Sequence, residues 1–109
     1  MGTVTFRRDS RNRLSSVFAE GHAGWADPGE DVVCAAASAI LQAAWLGLAQ
    51  HAGIDVEGER TGGRLAMRWP EAARDRDDVR AIVATAELAI VQIASQYPKH
   101  VRAKEAPEP

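Results

Sequence analysis

Cysteine occurs once in the 109 residues, at Cys34. That excludes an internal disulfide and any multi-cysteine metal cluster. Positive charge is not in excess: the formal net charge is -2 and the pI about 5.9, which argues against a large non-specific nucleic-acid surface and any direct nucleic-acid partner. No apolar run is expected to reach the roughly 20 residues of a membrane span. The longest candidate, around Ala35–Ala49, is interrupted by Ser38, Gln42 and Gly47. Met1–Arg8 has no apolar signal-peptide core, so no membrane partner and a cytoplasmic location are expected. Internal repeats beyond a loose ββα doubling are missing too. What remains is 46% hydrophobic and 26% charged, the balance of one globular domain with one core.

Val4 and Phe6 alternate with Thr3 and Thr5, which predicts a strand over Val4–Arg8. Turn residues Asp9–Asn12 and a second strand, Leu14–Gly21, complete a hairpin. His22–Glu30, with two glycines, a proline and two acidic residues, reads as a loop. Asp31–Ala52 is then a helix ended by Gly53, and Ile54–Glu59 with Arg64–Trp69 a second hairpin turning at Arg60–Gly63. Val79, Ile82, Val83, Ala86, Ile90 and Ile93 recur at three- and four-residue steps, so Asp75–Gln96 is an amphipathic helix. Lys99–Lys104 can extend along the sheet. The expected architecture is α+β: a two-layer α/β sandwich in the order ββαββα, its sheet mostly antiparallel, both helices on one face. One domain over residues 1–105 precedes a disordered tail at 106–109. The other sheet face needs cover, which predicts a homodimer with Trp69, Phe6 and Leu65 as candidate surface residues.

Chemistry gathers around Cys34. About one turn inside the expected helix, a thiol meets the positive end of the macrodipole and free N–H groups, both of which favour thiolate. Helical spacing places Asp31, Cys34, Ser38 and Gln42 on one stripe, and polar residues there need water, a partner or a substrate. His22 lies twelve residues before Cys34, across a loop long enough to turn back. An imidazole beside a thiol takes its proton and returns one to a leaving amine. Plainer roles stand beside these: a small buried hydrophobe for Cys34, a structural His22, a helix-start Asp31, and backbone bonds for Ser38 and Gln42. A metal site from Cys34, His22 and Asp31 lacks regular ligand spacing, so no metal or cofactor is expected. His51 and His100 read as surface residues. Spacing alone leaves the choice open.

The run Gly21-His22-Ala23-Gly24-Trp25-Ala26, followed after an acidic loop by Gly29-Glu30-Asp31-Val32-Val33-Cys34-Ala35-Ala36 and then Ser38-Ala39, resembles the signature of the Prp family of ribosomal-processing cysteine proteases. Ser95-Gln96-Tyr97-Pro98 after the last helix fits the same family. Trp25 stands where many members carry Tyr. The resemblance implies a cytoplasmic, usually homodimeric cysteine endopeptidase of bacteria. Its substrate would be the N-terminal extension of a large-subunit ribosomal protein, cut after a hydrophobic, aromatic-containing motif. It implies His22 as general base, Cys34 as nucleophile forming a thioester, and Asp31 and Ser38 as supporting residues. Gly24, Trp25 and Gly29 then belong to a substrate loop, Ala23–Glu30, expected to order over a bound peptide as a lid. Two other readings of the residues stand beside it: a non-catalytic ribosome-associated assembly protein of the same fold, and a thiol hydrolase of another acyl substrate.

Overall fold

The computed structural model describes residues 2–21 and 28–109, with 28–31 given by their backbone alone. Strands β1 (Gly2–Arg8) and β2 (Leu14–Glu20) form the first hairpin. Helix α1 (Pro28–Leu46) follows, prolonged by a π-helical turn over Gly47–His51, and then β3 (Glu57–Thr61) and β4 (Arg64–Arg68) form the second hairpin. A 3₁₀ turn at Glu71–Ala73 leads into α2 (Asp77–Gln96), and β5 (Val101–Pro107) closes the chain. The sheet order is β3-β4-β2-β1-β5, with β5 parallel to β1 and the other pairs antiparallel. The fold is therefore the expected two-layer α+β arrangement with a fifth strand added.

That strand corrects the expected tail. Residues 106 and 107 pair with Arg7 and Arg8 of β1, and the Glu108 N–H donates to the Arg8 carbonyl at 2.9 Å. Ladder bonds outweigh the unfavourable composition of Ala106–Pro109. The second hairpin turns on Gly62-Gly63 alone, both at positive φ (47° and 82°), so Arg60 and Thr61 belong to β3 instead of the turn.

Even-numbered residues of β1 (Val4, Phe6) face the helices together with Val17 of β2 and Leu65 and Met67 of β4. Leu41, Leu48, Val79, Val83 and Ile90 meet them from α1, its π-helical turn and α2. By length and composition Val32–His51 does reach a membrane-spanning stretch, with mean hydropathy 1.9, because the interruptions at Ser38, Gln42 and Gly47 carry no charge. In this fold its inward face, from Val33 through Leu48, is core. Gly47 faces the Ile82 side chain of α2, which a Cβ there would meet at an ordinary contact distance of 3.4 Å.

Trp69, Phe6 and Leu65 are buried beneath the helices, which overturns their assignment to a dimer surface. The opposite sheet face carries Thr3, Thr5, Arg7, Ser16 and Arg102 around Phe18, and Arg64 lies 5.6 Å above the Phe18 ring. It is a polar face and needs no cover. The exposed apolar surface lies on the helical layer instead, at Val32, Leu46, Leu88 and Val91.

An ion-pair web closes the end of the sheet at the β1–β2 turn. Asp9 Oδ1 accepts the N–H groups of Arg11 (2.9 Å) and Arg13 (3.0 Å), and Oδ2 accepts from Arg13 Nε (3.0 Å) and Arg74 Nη1 (2.9 Å). Burial pushes the Asp9 carboxyl up, but the Arg13 N–H, the Arg74 guanidinium and the Arg11 N–H outweigh it and bring it down to about 2. Trp69 is pinned alongside, its indole N–H donating to the Leu14 carbonyl at 2.8 Å.

Candidate active site

At the other end of the sheet, β1 begins, β2 ends, and the β3–β4 hairpin stands opposite the first half of α1. Between them lies a cleft of about 520 Å³. Its floor is apolar, made by Val4, Leu41, Leu65 and Val101, all buried. Its rim is polar: Glu20, Ser38, Gln42, Arg60, Thr61 and Arg64. Cys34 is half-buried in the wall. Gly2 sits against it, for a Cβ at residue 2 would lie 3.4 Å from the sulfur. The missing side chain keeps the space beside Sγ open. Gly21 also lines the cleft, and its N–H is held by the Gly63 carbonyl at 2.9 Å.

The polar stripe read from helical spacing is present. Gln42 Nε2 donates to Ser38 Oγ at 2.8 Å, and Arg60 Nη1 donates to Gln42 Oε1 across the cleft. Ser38 and Gln42 thus bond a side-chain chain, with no need of the backbone role open to them in sequence. Arg60 is missing from the stripe expected from sequence, because a turn at Arg60–Gly63 leaves it outside the strand that ladder pairing extends to Thr61. With Arg60 opposite Leu65 in the ladder, it falls on the helix-bearing face.

Helix α1 begins at Pro28, three residues before the expected start. Proline suits a first helical position, because its missing N–H would be unbonded there anyway. Cys34 therefore lies nearly two turns inside the helix. The unpaired N–H groups belong to the first turn, and the dipole effect fades within it. The helix terminus is thus not what activates Cys34. Gly29, expected in the substrate loop, is in that first turn. His22, Gly24 and Trp25, with residues 23–27 of the expected lid, lie outside the described residues, as does the Asp31 side chain. His51 is exposed, but His100 is half-buried and its Nδ1 has no hydrogen-bond partner. Among the described residues no cluster of His, Cys, Asp and Glu could hold a metal ion.

The family model described as cysteine protease Prp matches residues 1–102. The chain belongs to the Prp family of cysteine proteases. As a member it is a peptide hydrolase. The ribosomal processing cysteine protease Prp of Staphylococcus aureus is 28% identical over 105 residues, covering 94% of this chain and 96% of that one. The crystal structure of SMU.848 from Streptococcus mutans superposes with a TM-score of 0.83 at 26% identity, covering 99% of this chain and 96% of the other. Prp from S. aureus in complex with a substrate peptide gives a TM-score of 0.87 at 22% identity, over 97% and 100% of the two chains. Prp-type folding thus extends over the whole chain, β5 included.

Proposed function

We propose that this Prp-family chain is an endopeptidase whose nucleophile is Cys34 and whose general base is His22. One observation carries the reading: Cys34 lines a cleft with an apolar floor and a polar rim. Such a cleft suits an extended peptide with apolar side chains down and its backbone amides at the rim. Gly21, the residue before His22, is itself a cleft residue.

In the reaction, the imidazole takes the thiol proton and Cys34 Sγ bonds to the scissile carbonyl carbon. The C–N bond then breaks, the amine leaves with the proton from the imidazolium, and a thioester remains. Water, deprotonated by the same imidazole, hydrolyses the thioester and restores the thiol. Asp31 and Ser38 support the pair, and Gly24, Trp25 and Gly29 border the bound peptide.

The proposed substrate is the N-terminal extension of a large-subunit ribosomal protein, the class named for the S. aureus relative being ribosomal processing. A synthetic peptide spanning the host's own extension, digested and read by mass spectrometry, is expected to be cut at one bond after its aromatic-containing apolar motif. Leaving that peptide intact while hydrolysing simple acyl thioesters would assign the chain to another acyl substrate.

The working unit is proposed to be a cytoplasmic homodimer joined through the helical layer. An apolar groove between the helices, lined by Ile40, Ala43, Gly47, Ala81 and Ile82, runs among exposed Leu46 and Leu88. Light scattering at micromolar concentration should give twice the 11.7 kDa chain mass, and Leu88→Asp should shift it toward a single chain. A wild-type mass of one chain would remove the dimer.

A further inference from the structure

The side-chain relay across the cleft has a direction, and that direction follows from its chemistry. Arginine carries donors only, so the Gln42 atom that meets Arg60 must be the amide oxygen. Gln42 is thereby fixed against flipping, and its NH₂ faces Ser38, where Nε2 donates to Oγ at 2.8 Å. Ser38 Oγ is then an acceptor on that side, and its own proton must be given elsewhere. Ser38 follows Cys34 by one helical turn on the same stripe, so Cys34 lies directly behind it along the helix.

We infer that Arg60 and Gln42 are positioning residues that aim the Ser38 hydroxyl at the Cys34 sulfur. The two donors seen in the relay point the same way, from guanidinium to amide and from amide to hydroxyl, and the inferred third bond continues that direction from the hydroxyl to the sulfur. A hydrogen bond made to the charged form of a group favours that form, so the relay stabilises thiolate. Bonds in such a series polarise one another. The relay supplies, from the far wall of the cleft, part of what the distant helix terminus does not. It also ties hairpin to helix, since Arg60 is on β3 and Gln42 on α1. The inference rests on Cys34 being the nucleophile.

Two variants and two readouts test it. Gln42→Leu removes the donor to Ser38. Gln42→Glu keeps length and the Arg60 contact but turns the donor into an acceptor, which draws the Ser38 proton away from Cys34. The relay predicts that the pH midpoint for Cys34 alkylation by iodoacetamide rises in Gln42→Leu and rises further in Gln42→Glu. Peptide cleavage should lose about five- to tenfold in kcat with KM nearly unchanged in Gln42→Leu. Arg60→Met should follow in the same direction, and Arg60→Lys should restore part of the loss.

An unchanged alkylation midpoint with a raised KM would make Arg60 and Gln42 substrate contacts and overturn the relay. A lowered melting temperature with an unchanged midpoint would make the bonds merely structural, as would a Ser38 proton held by the Cys34 carbonyl. The alkylation readout needs no substrate. A shifted midpoint in a protein that cuts no peptide therefore keeps the relay and sinks the endopeptidase reading, whereas cleavage with no shift does the reverse.

Discussion

Cys34→Ser is expected to abolish peptide cleavage, by about 10⁴-fold or more, while the protein stays folded. A serine hydroxyl at this position keeps the size of the thiol but not its acidity. A Cys–His pair attacks as a thiolate, whereas a serine hydroxyl attacks only as a general base, itself oriented by a third group, takes its proton. Cys34 forms no disulfide, and it lies in the cleft wall instead of deep in the core, so stability should change little. The check is cleavage of the extension peptide beside a thermal melt. A variant that melts like wild type and retains more than about a hundredth of its rate is incompatible with Cys34 as nucleophile.

Arg74→Ala should cause the largest loss of stability, about 3 kcal/mol, in a region remote from the chemistry. The Arg74 side chain is 3% exposed and its guanidinium makes three hydrogen bonds. Nη1 holds Asp9 at 2.9 Å, while Nε and Nη2 both donate to the Trp69 carbonyl at 3.2 and 2.9 Å. Truncation leaves that carbonyl buried without a donor and removes one of two cations from Asp9. Arg13 remains on Asp9, which keeps the loss at the lower end of what breaking a buried pair costs.

Acid supplies an independent reading of the same web. The Asp9 carboxyl is held down at about 2 in the folded chain, below its ordinary value near 4. Its contribution is therefore fully present above about pH 4 and fades as pH falls toward 2. The stability gap between wild type and Arg74→Ala, measured by urea unfolding, should narrow across that window. A cost under about 1 kcal/mol at neutral pH, or a gap that widens in acid, would contradict this assignment.

Most of the architecture was legible because its signals are local. Val4 and Phe6 alternate against threonines, Asp9–Asn12 supply a turn, and α2 repeats its apolar residues at helical steps. Gly53 takes the positive φ of 67° that suits a helix end. The stripe of Cys34, Ser38 and Gln42 was legible for the same reason, since helical spacing alone aligns it. What failed depends on partners distant in sequence. The end of β5 reads as a tail because Ala106, Pro107 and Glu108 give no apolar run; residues 106 and 107 become strand by pairing with Arg7 and Arg8 of β1, the other end of the chain. Face assignment failed at Phe6, Leu65 and Trp69, where apolar residues mark a core as readily as an interface. Pro28 carried a start signal for α1 that its neighbouring glycines obscured. Arg60 gives no sign in sequence that it reaches Gln42, because only the hairpin's placement across the cleft brings them together.

The central claim is that an imidazole from His22 activates the thiol of Cys34, the helix terminus being too far away to do so. Alkylation of Cys34 by iodoacetamide, followed by intact mass across a pH series for wild type and His22→Ala, measures this without any substrate. The account predicts a wild-type midpoint clearly below the free-thiol value of about 8.5, and in His22→Ala a clear rise toward that value that stops short of it by what the intact relay still holds down. The same midpoint in both proteins would show that His22 does not act on Cys34, and the proposed pair would fall with it.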